Sequence, residues 1–327
     1  MRALSGIKPT GSLHIGNYFG AARQFEEFQK KNYEGFYFIA DYHTLNSHPE
    51  PSKLVENTRN IALDYLAFGL DPQKSTLFLQ SHVPEVVELA FILSNYTPMG
   101  LMQRAHSYKD KVAKNELINV GLFYYPLLMT ADILAYKSNI VPVGKDQKQH
   151  VEIARDIAEK FNLHYQKELF TIPDPYIPEN VATVPGTDGQ KMSKSYQNTI
   201  EMFADAPTLK KQIMGIVTDS TPLEEPKDPD TNNVFNIYKL FVDKAESDEM
   251  STKLKAGGYG YGHAKKELLE AVHSFFDPMR KKREELAKNI DYVQKVLKEG
   301  GEKARAVATQ TLEEVKKTIG LSERFKL

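Results

Sequence analysis

Two short segments carry residue types suited to handling a polyphosphate. In Gly186-Thr187-Asp188-Gly189-Gln190-Lys191-Met192-Ser193-Lys194-Ser195, two lysines stand three apart in a polar loop flanked by glycines. Each ammonium is a mobile point charge able to follow a phosphate, and Gly186 and Gly189 would let the loop close over one. In Ser5-Gly6-Ile7-Lys8-Pro9-Thr10-Gly11-Ser12-Leu13-His14-Ile15-Gly16-Asn17-Tyr18, a β-type start leads through a glycine-rich turn into a helix expected to begin near Leu13. Backbone amides at a helix start, with glycines admitting a close ligand, bind anions without a P-loop. His14 and Asn17 fall on one face of the first turn, and both can donate to phosphate oxygens. A strand–turn–helix corner capped by Ser12 reads the same way, and a lysine–serine loop alone is ordinary solvated surface. The pair, about 175 residues apart, is far more specific than either part.

A third segment suggests recognition of a ring. Gly121 to Tyr136 reads as an apolar helix with Tyr125, Met129 and Asp132 on one face. A carboxylate inside Leu127-Leu128-Met129-Thr130-Ala131-Asp132-Ile133-Leu134 is costly unless it meets a partner. A neighbouring lysine or a helix N-terminus would serve as that partner. So would an indole, which has one N–H donor and no acceptor and so matches an acceptor-only carboxylate at the end of an apolar slot. A site built on such a bond rejects analogues lacking it by roughly 10⁴-fold, against about 10² for apolar shape. Val141-Pro142-Val143-Gly144-Lys145-Asp146-Gln147-Lys148-Gln149-His150 is a strand end, a glycine turn and a helix start, the place where open α/β sheets bind ligands. Asp146 with Gln149 is equally well a capping box. His43, in Asp41-Tyr42-His43-Thr44 after a buried strand, would point into the same crevice. Ser107-Tyr108-Lys109-Asp110-Lys111 is a basic loop or an ordinary charged turn.

The elements needed to position these residues are legible. Phe36 to Ala40, Ser75 to Leu79 and Ile140 to Val143 read as buried strands, and Leu54 to Phe68 as a helix stopped by Gly69-Leu70-Asp71-Pro72. Strand, helix, strand at these lengths predicts parallel βαβ units in a doubly wound, Rossmann-like α/β domain over residues 1–198, carrying a helical insertion. From 199 to 327 the pattern is all-helical, interrupted at Thr221 to Thr231 and at Gly257 to Gly262, the latter a helix–helix turn. With 327 residues, two domains are the natural expectation.

Composition excludes several classes. There are no cysteines, hence no disulfides or thiolate metal sites, and the nine histidines lack metal-ligand spacing. A formal net charge of −1 argues against a protein that coats DNA through a global positive field. No apolar run reaches membrane-spanning length, and Met1 to Gly6 shows no signal or transit pattern, so a soluble cytoplasmic protein with no membrane partner is expected.

His14-Ile15-Gly16-Asn17 with Lys191-Met192-Ser193-Lys194-Ser195 resembles the paired ATP-binding motifs of class I aminoacyl-tRNA synthetases. Asn17 departs from the usual second histidine, keeping a neutral donor but no cationic option. The Gly16-Asn17-Tyr18 continuation resembles the tryptophanyl members in particular, and the likeness runs over essentially the whole chain. The resemblance implies activation of L-tryptophan by ATP, with Mg²⁺ accompanying the nucleotide, followed by transfer to tRNA(Trp). It also implies a homodimer, and an anticodon-binding role for 199–327 with the last helix packing back on the core. It places Lys8, Thr10, Gly16, Asn17, Gly144, Asp146, Lys191, Met192, Ser193, Lys194 and Ser195 at ATP. Leu4, His43, Tyr125, Met129, Asp132, Ile133, Val141, Val143 and Gln147 fall at the amino acid, with His43 toward its α-carboxylate or amine. His14, Asn17, Lys109, Lys111, Lys191 and Lys194 would stabilise charge on the phosphates. A tyrosyl enzyme shares this architecture but wants a tyrosine and an aspartate around a phenol. A nucleotidyltransferase without tRNA would not need the helical C-terminal part, and a catalytically inactive regulatory paralogue would not need His14, Lys191 and Lys194.

Overall fold

The computed structural model describes residues 1–105, 108–109, 119–144, 147–177 and 184–321. Five parallel strands form one sheet in the order β3-β2-β1-β4-β5: β1 Arg2–Ile7, β2 Glu34–Ile39, β3 Ser75–Leu79, β4 Ile140–Pro142 and β5 Asp174–Tyr176. Both faces of the central strands are covered, which is why Phe36-Tyr37-Phe38-Ile39 is a continuous apolar run and not an alternating one. The helix Pro51–Ala67 starts on a proline, buries Ile61 through Ala67 and is followed by Gly69 at φ +95, a left-handed position glycine takes without steric cost. The helix Val120–Ala135 is capped by Asn119, whose side chain accepts from the Leu122 amide at 2.7 Å, and it tolerates Pro126 in its interior.

The chain divides into two compact units. The first comprises residues 1–11, 24–178 and 289–327, the second residues 12–23 and 179–288. The texture change near residue 198 therefore lies inside the second unit, because composition follows secondary structure whereas the division follows packing. The helix Ile290–Ile319 belongs to the first unit and packs against the edge strand β3. Gly300 makes this possible: a Cβ there would lie 1.9 Å from the Leu77 carbonyl oxygen. Ion pairs Arg305–Glu85 (2.7 Å), Lys316–Glu88 (3.0 Å) and Lys137–Glu314 (2.7 Å) flank this contact.

In the second unit, helices Ala206–Met214, Asn233–Tyr238 and Lys244–Ala256 start on the side-chain caps Asp205, Asn232 and Asp243. The expected Gly257 to Gly262 turn is found from Gly257 to Gly260, and Gly262 lies already in the helix Tyr261–Lys288. The Pro/Asp-rich stretch is not helical; buried Lys227 holds it by donating to the carbonyls of Pro222 (2.8 Å), Leu223 (3.2 Å) and Glu225 (3.0 Å). An aromatic cluster of Tyr18, Phe19, Phe241, Phe275 and Phe276 forms part of this unit's core, with Phe19–Phe241 and Tyr18–Phe276 ring centroids 5.2 and 5.4 Å apart. Among the described residues no helix is long and apolar enough to cross a membrane.

Candidate active site

The two segments suited to a polyphosphate meet in the second unit. Ile15 N–H donates to the Ile200 carbonyl (3.0 Å) and Met202 N–H to the Leu13 carbonyl (3.2 Å), so the His14 turn is stitched to the chain just beyond the lysine loop. The helical turn begins later than expected, at Ile15, and its N-cap is His14, not Ser12. Asn17 turns its side-chain oxygen back to accept the His14 amide at 3.1 Å, leaving its amide N–H groups as the donors it can offer an anion. The His14 ring is buried, with Nδ1 unpaired. Burial, with the nearby Lys194 charge, lowers its pKa to about 4. His14 is therefore a neutral donor at pH 7, and positive charge at this end of the site resides on the lysines.

The loop itself is shaped by a residue outside the motif. Buried Asn198 accepts from the Ser193 amide (2.8 Å) and donates to Asp188 Oδ1 (2.7 Å) and the Lys191 carbonyl (3.1 Å). Gly186 leaves room for it, since a Cβ there would sit 2.2 Å from Asn198 Nδ2. Met192 is buried as the anchor between the two lysines, both exposed. Ser193 caps the short turn Lys194–Tyr196 and accepts from the Ser195 amide (3.3 Å). The hydrogen bonds thus hold the backbone between the lysines and leave the ammonium groups at the surface, an arrangement suited to a polyanion.

The residues expected at a ring gather in the first unit. Asp132 is 1% exposed on the helix Val120–Ala135. Among the described residues its partners are neither a lysine nor a helix start: His43 Nε2 lies 2.8 Å from Oδ2, and Gln80 Nε2 lies 2.9 Å from each oxygen. Burial raises the Asp132 pKa, and the hydrogen bonds from His43 and Gln80 oppose that rise. His43, which the resemblance aims at the substrate's α-carboxylate or amine, thus has its Nε2 on the aspartate, and its ring meets Tyr125 edge-on at 5.9 Å. The Tyr125 hydroxyl is hydrogen bonded to His150 Nε2, and the Lys8 ammonium stands 5.1 Å from the Tyr125 ring centroid. Met129 is half-buried, whereas Ile133, Leu4 and Val141 lie in the main apolar core. Val143 and Gly144 follow β4, and Gln147 is the N-cap of the helix Lys148–Tyr165. Thr10 sits in the turn after β1, and Lys109 is exposed. Asp146 and Lys111 lie outside the described residues.

Gln80, His150 as the partner of Tyr125, and Asn198 carry contacts that motif spacing does not reveal. The only hint for Gln80 is its place immediately after a buried strand, at the carboxyl end where α/β sheets bind ligands.

The chain resembles known proteins over nearly its whole length. The family model of class I tRNA synthetases (W and Y) matches residues 1–277. A tryptophan–tRNA ligase of Fusobacterium nucleatum is 60% identical over 320 residues, covering 98% of both chains. The crystal structure of the Campylobacter jejuni tryptophanyl-tRNA synthetase complexed with ADP and tryptophan superposes with a TM-score of 0.92 at 52% identity, over 98% of this chain and 100% of that one. The tyrosyl-tRNA synthetase of Archaeoglobus fulgidus, at 20% identity and a TM-score of 0.65, shares the fold. The chain belongs to the class I tRNA synthetases of the tryptophan and tyrosine group and, within that group, to the tryptophanyl branch.

Proposed function

We propose that this protein activates L-tryptophan with ATP and transfers it to the 3′ end of tRNA(Trp). The tryptophan carboxylate attacks the α-phosphorus, the bond to the β-phosphate oxygen breaks, and pyrophosphate leaves. A terminal ribose hydroxyl of the tRNA then displaces AMP. Neither step needs a protein nucleophile, so catalysis rests on positioning and on stabilising phosphate charge. His14 and Asn17 supply neutral donors, while Lys191 and Lys194, aided by Lys109 and Lys111, supply charge for the departing pyrophosphate. Mg²⁺ arrives with the nucleotide. Lys8, Thr10, Gly16, Gly144, Asp146, Met192, Ser193 and Ser195 surround ATP. Leu4, His43, Tyr125, Met129, Ile133, Val141, Val143 and Gln147 surround the amino acid.

The observation that carries the choice of tryptophan is the buried, donor-supported Asp132 carboxylate, an acceptor suited to a ring N–H. A phenol would want the nearby tyrosine hydroxyl as well, and Tyr125 gives that hydroxyl to His150. The segment 199–327 serves tRNA, the reaction's partners belong to the cytoplasm, and two copies form a homodimer. Pyrophosphate exchange into ATP, run with tryptophan, tyrosine and phenylalanine, tests the reading. Exchange following tryptophan alone is expected; exchange following tyrosine, or independent of amino acid, overturns it.

A further inference from the structure

Gln80 is 1% exposed at the first position past β3, and its carboxamide stands between two elements. The backbone N–H of His43 can only donate, and it faces Oε1 at 3.4 Å. That sets the oxygen on the His43 side and the amide nitrogen on the Asp132 side, 2.9 Å from both carboxylate oxygens. His43 Nε2 adds a contact of 2.8 Å to Oδ2. A carboxylate has about four lone-pair positions. Gln80 spans both oxygens and His43 takes a second position on Oδ2, so among the described residues one position remains, on Oδ1.

We propose that Gln80 is a specificity-determining positioning residue: it holds the Asp132 carboxylate as an acceptor whose remaining lone pair, on Oδ1, meets the ring N–H of the substrate. The inference rests on tryptophan being the substrate and on Asp132 facing its ring. A donor shared by both oxygens favours the ionised, acceptor-only carboxylate over the neutral acid, whose O–H would confront the incoming N–H. It also fixes the plane of the carboxylate, which otherwise rotates readily about its terminal torsion. Without Gln80, burial still disfavours the charge and only His43 opposes it.

The test compares tryptophan with 3-benzothienyl-alanine, which has nearly the same shape but sulfur in place of the N–H, as substrates for pyrophosphate exchange. The parent protein is expected to prefer tryptophan by about 10⁴-fold in kcat/KM. In Gln80→Leu that preference falls at least about tenfold, through the KM for tryptophan, while KM for the sulfur analogue moves by less than about threefold. A merely structural role would penalise both substrates alike, and an equal loss overturns the inference. Gln80→Met keeps the length and bulk of the side chain but carries no N–H donor, so the preference also collapses. Retention of the parental preference in Gln80→Met overturns the inference even if Gln80→Leu fails to fold. A parent that does not distinguish the two substrates overturns the tryptophan reading itself.

Discussion

The imidazole of His14 folds back over Gly16, so that a Cβ at position 16 would lie 2.9 Å from its Nδ1 and 3.0 Å from its Cε1. Gly16 is therefore part of how the ring is aimed. Gly16→Ala pushes the ring aside without touching the backbone hydrogen bonds from Ile15 and Met202. We expect tryptophan-dependent exchange to lose about 10²-fold in kcat, the scale of removing one preorganised donor. The melting temperature should change little, and unchanged kcat would remove His14 from the mechanism.

His14 also makes stability depend on pH. Its folded-state pKa is lowered to about 4 from an ordinary 6.5. Above pH 6.5 the ring is neutral in both states; as pH falls from 6.5 toward 4, only the unfolded state gains the proton and folding weakens. The slope is at most about 1.4 kcal/mol per pH unit. Urea unfolding at pH 7, 5.5 and 4.5 should show His14→Gln gaining on the parent as the pH drops. A difference that stays constant across that series would contradict the buried neutral ring.

Asn198 organises the lysine loop through Ser193, Asp188 and Lys191. Asn198→Ala removes three hydrogen bonds and leaves the loop backbone to wander. The expected result is a rise in KM for ATP and a fall in kcat, together about 10- to 100-fold in kcat/KM, with KM for tryptophan near the parental value. Gly186→Ala should reproduce the defect by displacing the Asn198 side chain. A change confined to the tryptophan KM would speak against this division of labour.

Gly300 packs against backbone, which cannot yield. Alanine at 300 would gain roughly 1 kcal/mol of helix propensity. It would also drive a methyl to within 1.9 Å of the Leu77 carbonyl oxygen. The clash should win, destabilising the protein by about 3 kcal/mol or more, measured by chemical denaturation. Neutral Gly300→Ala would mean that the C-terminal helix can lift off β3 at no cost.

Much of the site is legible in the sequence because its chemistry is local. The lysine pair in its glycine-flanked loop, the His14 turn and the aspartate in an apolar helix each declare themselves within a few residues. The strand around Phe36 to Ile39 does so as well, since burial on both faces leaves an unbroken apolar run. The start of the His14 helix was less legible: serine is a strong cap by type, yet the geometry gives that place to His14 because Asn17 reaches back to its amide.

By itself, then, the sequence determined the parallel α/β architecture, the presence of groups suited to a polyphosphate and the presence of one carboxylate suited to a ring N–H. Only the tertiary structure decided what those groups touch. It brought residues 200–202 to the His14 turn, gave Asn198 the lysine loop, put His150 on Tyr125, and set His43 and Gln80 on Asp132. The reason is that hydrogen bonds act over about 3 Å in space. Gln80 and Asp132 are 52 residues apart along the chain, and no periodicity or motif spacing encodes a contact made by packing a strand end against a helix.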